Sequence, residues 1–343
     1  MDFSWIVMWV GFALASYSVV GNDVIQTLGT FLTSNEDKLK WYVLFAFAGT
    51  ILSLTLIYGY FFYDLSYERL AKFEIPTSYP WYYMLPPVVL LIITRYGIPV
   101  STTFMILTLF SLHQIPADAG SMISSLFDSS QLLGGMVQKS VMGYIIAFFS
   151  AIIIYLAISR FTEKYFNEHK ITHTGNRIWT VLQWCSTGFL WYQWLTQDLA
   201  NIFIYLRNGK DLPVWQFFLA LSILLSLLAY IFYQRGGKVQ NIVRAKASTG
   251  DIRSATFVDF FYAIILLIFK DDYFGLWGGK LPMSTTWVFI GLLAGREIAM
   301  RLVLNKQLSR NTIRMIIADL LKVFFGLVVS VVLVFVIKLL AHI

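Results

Sequence analysis

The sequence predicts an all-α polytopic membrane protein built of inverted-topology repeats with two re-entrant helical hairpins. Three observations carry that prediction: the clustering of apolar residues, the sign of the charges between clusters, and the recurrence of two polar motifs in one order. Of 343 residues, 58% are hydrophobic and 13% charged, more apolar surface than a soluble core could bury. Runs such as Tyr42 to Tyr63, Val141 to Ile158, Val214 to Phe232 and Val323 to Leu340 each approach the ~20 residues that a spanning helix needs. The first apolar stretch lacks a basic leader and a small-residue cleavage site, so it reads as a retained helix. The single cysteine, Cys185, excludes a disulfide within the chain and any cysteine-based metal centre.

The formal charge of +7 is better assigned to membrane orientation than to nucleic acid. Arg235 to Arg253 and Arg296 to Arg314 are strongly basic and belong on the cytoplasmic side, whereas Asp64 to Tyr79 is slightly acidic and His113 to Asp128 holds two aspartates without Lys or Arg. Threading the spans between these anchors puts both termini outside, in a plasma (inner) membrane.

The repeat is carried by short motifs. Gly21-Asn22-Asp23-Val24-Ile25-Gln26 near the start is matched by Thr196-Gln197-Asp198-Leu199-Ala200-Asn201 past the middle. Gly97-Ile98-Pro99-Val100-Ser101-Thr102-Thr103 is followed in the second half by Lys280-Leu281-Pro282-Met283-Ser284-Thr285-Thr286. The charge argument sends the first Asp-bearing helix inward and the second, Arg177 to Leu206, outward, so the repeats are inverted and divide the chain into 1–170 and 171–343. Such architecture places a shared site near the bilayer midplane. Pro86, Pro87, Gly97 and Pro99 crowd the stretch from Pro80 to Pro116, which reads as a chain that enters, breaks and turns under cover of protein or water.

A carboxylate at membrane depth costs ~2.5 to 3.5 kcal/mol or more, so it faces a polar cavity and does something there. For Asp23 or Asp198 alone, helix capping explains the residue equally well; two at matching positions, each flanked by amides, favour a site. Asp23 with Gln26, and Asp198 with Asn201, share a helical face. Together with Asn22 and Gln197 they form a hard-oxygen set suited to Na⁺ or a proton. Pro99 and Pro282 are expected at the first helical position, leaving the following amides and the hydroxyls of Ser101, Thr102, Thr103, Ser284, Thr285 and Thr286 to cradle an anion. Ordinary N-capping by the serines is the simpler alternative. A dianion with two carboxylates brings about −4 and two helix ends return about +1. The remaining charge requires cations or protons, hence obligatory coupling. Arg95 is a weaker anion-ligand candidate, Arg296 is expected to snorkel to headgroups, and the tryptophans Trp179, Trp184, Trp191 and Trp194 to face lipid.

These motifs resemble those of the inorganic phosphate transporter family, PiT, whose repeats carry a Gly-Ala-Asn-Asp-Val-Ala-Asn-Ala-like and a Pro-Val-Ser-Thr-Thr-His-like segment. The chain is similar to a divergent, bacterial-type phosphate/sulfate permease. The resemblance implies an anion held by the Ser-Thr-Thr hydroxyls and helix ends, cations near the aspartates, and a transport domain moving against a scaffold. Asp23 and Asp198 are anion-ligand candidates as well, because a carboxylate can accept from the hydroxyl of monohydrogen phosphate, which sulfate lacks. Phe104 and Trp287 stand where the family has His, Gln26 replaces an Asn, and Trp194-Leu195-Thr196-Gln197 lacks the leading glycine.

The function expected is Na⁺- or H⁺-coupled symport of inorganic phosphate, with sulfate as the alternative substrate and an anion channel or membrane receptor as the non-transporting alternative. No catalytic residues, no cofactor beyond the coupling ion, no metal beyond Na⁺ and no nucleic acid are expected. The partners are the oxyanion, the lipid bilayer and, as an assembly to test, a second copy in a homodimer.

Overall fold

The computed structural model describes residues 3–95, 100–114, 118–158, 173–235, 252–271, 275, 280–303 and 310–341. The expected division near residue 170, Gly97, Pro99, and the side chains of Asn22 and Arg95 lie outside them. Regular structure among the described residues is entirely helical. The first half holds α1 (Phe3–Asn22), α2 (Val24–Asn35), α3 (Trp41–Phe62), α4 (Leu85–Arg95), α5 (Thr102–Phe110), α6 (Ala119–Phe127) and α7 (Leu132–Ile158). The second holds α8 (His173–Leu195), a 3-10 segment (Leu199–Gly209), α9 (Val214–Tyr233), α10 (Ile252–Lys270), α11 (Thr285–Val303) and α12 (Arg310–Ala341).

Among the described residues, five stretches are long and apolar enough to cross a membrane: Phe3–Gly21, Trp41–Phe62, Leu132–Ala157, Val214–Tyr233 and Thr312–Ala341. They match the apolar runs read from the sequence to within one residue at the far end, although α7 and α12 begin well before theirs. Large side chains such as Leu54, Phe61, Ile153, Trp215 and Leu339 are exposed on these helices, the surface that lipid covers. Helices α8, α10 and α11 are less apolar because they turn Gln183, Thr187, Asp259 and Thr285 into the protein interior.

The packing has an exchange symmetry. Helix α3 meets α9; α1 meets α9 while α8 meets α3; α1 meets the 3-10 segment while α8 meets α2. Likewise α1 packs on α4 and α8 on α10, while α5 packs on α12 and α11 on α7. Each short-motif helix therefore packs on the last helix of the opposite half. In the first half α4 and α5, 11 and nine residues long, reach only ~16 and ~14 Å, well short of a ~30 Å hydrocarbon layer. Their counterparts α10 and α11 have 19 residues each. The connecting residues 96–99 and 276–279 fall outside the described set, so the re-entrant hairpins stay a proposal.

Three sequence expectations are corrected, two by burial and one by a helix boundary. Trp191 and Trp194 are not lipid-facing: both are buried, with ring planes 6° apart and centroids 5.0 Å apart. They fill the core between α8 and its neighbours, and the Trp191 indole N–H donates to Ala48 O at 3.0 Å. Arg296 does not snorkel; it is 3% exposed with its guanidinium 5.4 Å from the Tyr155 ring centroid, because α11 lies against α7 rather than against lipid. Pro282 is not the first helical residue, since α11 starts at Thr285.

Candidate functional site

Both motif aspartates sit where a helix is interrupted. Asp23 separates α1 from α2, and Asp198 separates α8 from the 3-10 segment, each with φ −99°. The local bonding matches. The Asp23 amide donates to Val19 O and the Asp198 amide to Trp194 O, both four residues back. The amides of Gln26 and Asn201 then donate to the carbonyls of Asp23 and Asp198, three residues back. Polar side chains compete with regular helix at such positions, and the tighter i+3 turn swings each carboxylate inward.

Asp198 is the centre of the arrangement. Its Oδ1 accepts from Thr103 Oγ1 at 2.7 Å, Thr102 Oγ1 at 3.3 Å and Asn201 Nδ2 at 3.3 Å; its Oδ2 accepts from Thr285 Oγ1 at 2.6 Å. Thr102 and Thr103 open α5, and Thr285 opens α11. One carboxylate therefore rests on the starts of two helices, whose first amides lack carbonyl partners and whose dipoles favour negative charge. The expected anion cradle is filled by a side chain of the protein itself. Two of these hydroxyl contacts have the 2.5 to 2.7 Å length typical of a hydroxyl donating to an ionised carboxylate.

A second cluster lies beside it. Gln26 Nε2 donates to Asp23 Oδ1 at 2.9 Å and to Thr286 Oγ1 at 3.5 Å, so Asp23, Gln26 and the α11 start are linked. Because a carboxylate accepts, the amide nitrogens of Gln26 and Asn201 must face it, which turns their oxygens away. Gln26 Oε1 and Asn201 Oδ1 are then buried without a hydrogen-bond partner, as is Ser284 Oγ. Each such orphan costs ~1 to 3 kcal/mol unless something not yet bound satisfies it. Two of the three are acceptor-only amide oxygens, the donor type a hard cation takes.

Other candidates separate from the cluster. Ser101 Oγ accepts from the Phe104 amide at 3.2 Å and is an ordinary N-cap; serine outranks proline as the residue that starts these helices, and Pro282 stands two residues before the cap. Gln197 Nε2 donates to Leu266 O at 3.0 Å, joining α8's end to α10 rather than to Asp198. The Ser284 amide donates to Ser140 Oγ of α7 at 3.0 Å. Phe104 and Trp287, in equivalent positions of the two motifs, meet edge to face at 6.4 Å and 69°.

Sequence reasoning missed three charged groups that the fold buries. Arg69, in the connection between α3 and α4, is 1% exposed and donates to Thr196 O at 3.5 Å, two residues from Asp198. Burial pushes its guanidinium down to about 10, opposed by the charges of Asp198 and Asp271, so it stays a cation at neutral pH. Lys139 of α7 is fully buried and donates to Leu281 O at 2.9 Å, just before the α11 start. Asp259 of α10 is 1% exposed. A lysine or aspartate inside an apolar run was a signal available in the sequence; Arg69 gave none, because only the docking of its loop carries it inward.

No family model matches this chain, and no curated protein matches it. A solved structure described as the sodium-dependent phosphate transporter is similar over 99% of this chain and 100% of its own length, with a TM-score of 0.59 and 19% identity. At that identity the likeness is one of fold: this chain is an all-helical membrane protein with the architecture of that transporter.

Proposed function

We propose that this protein carries an inorganic oxyanion, phosphate first, across the membrane by symport with Na⁺. The observation that supports it best is the seat of Asp198: a negative group bonded to hydroxyls at the starts of α5 and α11. Asp198, Thr102, Thr103, Ser284, Thr285 and Thr286 form the anion side. Asp23 and Gln26, with the free amide oxygens of Gln26 and Asn201, form the cation side. The similar fold of a sodium-dependent phosphate transporter supports the choice of substrate and ion.

Coupling follows from charge. An entering oxyanion takes over the threonine hydroxyls, and Asp198 is released from them. The freed carboxylate cannot stay uncompensated in low dielectric, so a cation must join it, with Asn201 Oδ1 as a second ligand. Arg69 and the helix ends offset the remaining negative charge. Monohydrogen phosphate has a further advantage over sulfate, since its hydroxyl can donate to Asp198 or Asp23. A site built around a substrate hydroxyl rejects analogues that lack it. We also place both termini outside and read the two halves, 1–170 and 171–343, as inverted copies; the exchange symmetry of the packing supports the duplication.

The test is uptake of labelled phosphate, and separately of labelled sulfate, into proteoliposomes under imposed Na⁺ or proton gradients. Phosphate uptake driven by Na⁺ and not inhibited by sulfate is expected. Sulfate uptake would assign the aspartates to cations alone, and anion flux at the same rate in cation-free, pH-clamped vesicles would replace symport by a channel.

A further inference from the structure

Far from the central cluster, Trp5 and Met8 near the start of α1 and Gln216 near the start of α9 line one cavity of about 350 Å³. Both helices are long and apolar enough to span a membrane. The cavity therefore opens where two spans begin, at the depth of the lipid headgroups. Its volume falls within the roughly 300 to 1,000 Å³ of pockets that hold organic ligands. Its flanks are apolar and uncovered: Ile6 and Val10 of α1, and Trp215 and Phe218 of α9, are all exposed.

The lip is the turn that ends the 3-10 segment, which brings Arg207, Lys210 and Asp211 onto the cavity. Arg207 and Asp211 have φ of 52° and 59°, a left-handed backbone that non-glycine residues adopt at a cost. Arg207 Nη2 donates to Thr77 O at 3.0 Å, which fixes the guanidinium at the lip and leaves part of its five-donor fork to solvent. Lys210 and Asp211 are exposed, and among the described residues their side chains make no hydrogen bond and no ion pair. By the proposed topology this is the outer face, where Lys and Arg are the exception. Two cations there call for a local reason. A bare oxyanion would meet the like charge of Asp211, whereas a headgroup that carries both a phosphate and an ammonium answers both signs. The Trp5 ring, in the same cavity, offers an ammonium its π face.

We propose that this cavity binds the headgroup of a zwitterionic phospholipid of the phosphatidylethanolamine class. The phosphate sits on Arg207 and Lys210 through charge-assisted hydrogen bonds, the ammonium on Asp211 and the Trp5 ring, and the acyl chains run down the exposed apolar faces of α1 and α9. A free oxyanion shares the phosphate chemistry but leaves Asp211 unanswered and the apolar flanks bare. The cavity wall also joins separate segments: the Tyr79 amide donates to Ser4 Oγ at 2.8 Å, and the Tyr79 hydroxyl to Ile204 O at 3.1 Å. A lipid seated there clasps α1, the connection between α3 and α4, and the 3-10 segment, and stabilises the fold by binding it alone. The site is independent of what the central cluster carries.

The measurement is native mass spectrometry of the delipidated full chain in detergent, titrated separately with phosphatidylethanolamine, phosphatidylcholine and phosphatidylglycerol of the same acyl chains, and with inorganic phosphate. The wild type is expected to bind phosphatidylethanolamine the most tightly, because a trimethylated ammonium cannot donate to Asp211 and a glycerol headgroup brings it no charge. Lys210→Gln is expected to weaken all three lipids about 3- to 10-fold, the effect of one charged donor at an exposed site. Asp211→Asn is expected to erase the preference for phosphatidylethanolamine over phosphatidylcholine. Both positions are exposed, and asparagine tolerates the left-handed backbone at 211, so the two variants keep the fold. Lipid affinities untouched by both variants, or phosphatidylcholine or phosphatidylglycerol bound as tightly as phosphatidylethanolamine by the wild type, would overturn the proposal. So would displacement of the lipid by inorganic phosphate together with loss of phosphate binding in Lys210→Gln, which would assign the cavity to a free oxyanion.

Discussion

Asp198 and its amide neighbour Asn201 take opposite halves of the hydrogen-bond exchange: the carboxylate is fully served by donors, whereas the amide oxygen has none. Asp198→Asn is expected to abolish Na⁺-coupled uptake with the fold intact, because a neutral amide carries no charge for an entering cation to compensate. Uptake at wild-type rate in that variant would remove the residue from the mechanism. The serines of the two motifs separate in the same way. Ser101→Ala is expected to cost about 1 kcal/mol of stability through the lost cap of α5. Ser284→Ala, whose hydroxyl has no partner to lose, is expected to leave the thermal midpoint unchanged and weaken anion affinity by a few fold; melting curves and binding isotherms on both variants check the contrast. Arg69→Gln, which strips a buried cation from the neighbourhood of Asp198, is expected to raise the apparent KM for the oxyanion more than about tenfold, since half of a buried charge arrangement is costly to lose. An unchanged KM would confine Arg69 to holding its loop.

Among the elements, α11 and α7 approach each other closely, and glycine permits it. A Cβ at Gly291 would lie 2.4 Å from Tyr144 O, and one at Gly295 2.1 Å from Phe148 O. Both obstacles are backbone, which cannot rotate aside. The spacing Gly291-Leu292-Leu293-Ala294-Gly295 is the small-residue pattern that brings membrane helices into contact. Gly295→Val is therefore expected to push α11 off α7, lowering the thermal midpoint and loosening the hold of Ser140 and Lys139 on the α11 start. An unaltered melting curve would contradict this. The pattern was open to view in the sequence. What it could not reveal was the partner, because apolar periodicity marks a face and not the helix that covers it. The same gap explains the tryptophans: Trp191 and Trp194 have the composition of interfacial anchors, and only the packing of α8 against α3 and the 3-10 segment makes them core.

At the scale of the molecule, the most consequential feature is that each half completes the other. Asp198 of the second half accepts from Thr102 and Thr103 of the first, and Gln26 of the first half donates to Thr286 of the second. A site so divided changes geometry whenever one half rocks against the other, which is what alternating access requires. The proposed orientation is open to direct test because Cys185 is the single native thiol. In a Cys185→Ser background, Asp37→Cys is expected to react with a membrane-impermeant maleimide only from the cytoplasmic side and Glu74→Cys only from outside. Both positions are exposed. Labelling of both from one side would break the proposed topology.

The sequence by itself determined the solvent of this chain, the class of its fold and the two motif pairs, because apolar content, span length and local motif order are one-dimensional properties. It put the aspartates on helices, Asp198 within one running from Arg177 to Leu206; that each interrupts its helix is a finding of the structure. It did not determine which polar groups would meet. That Asp198 sits on the threonines of both halves, that Ser101 caps while Ser284 stands free, and that Arg69, Lys139 and Asp259 are buried among helices are outcomes of packing between segments far apart in the chain. Burial, and with it the cost of an unpaired charge or amide, depends on what covers a residue. Only the tertiary structure decides that.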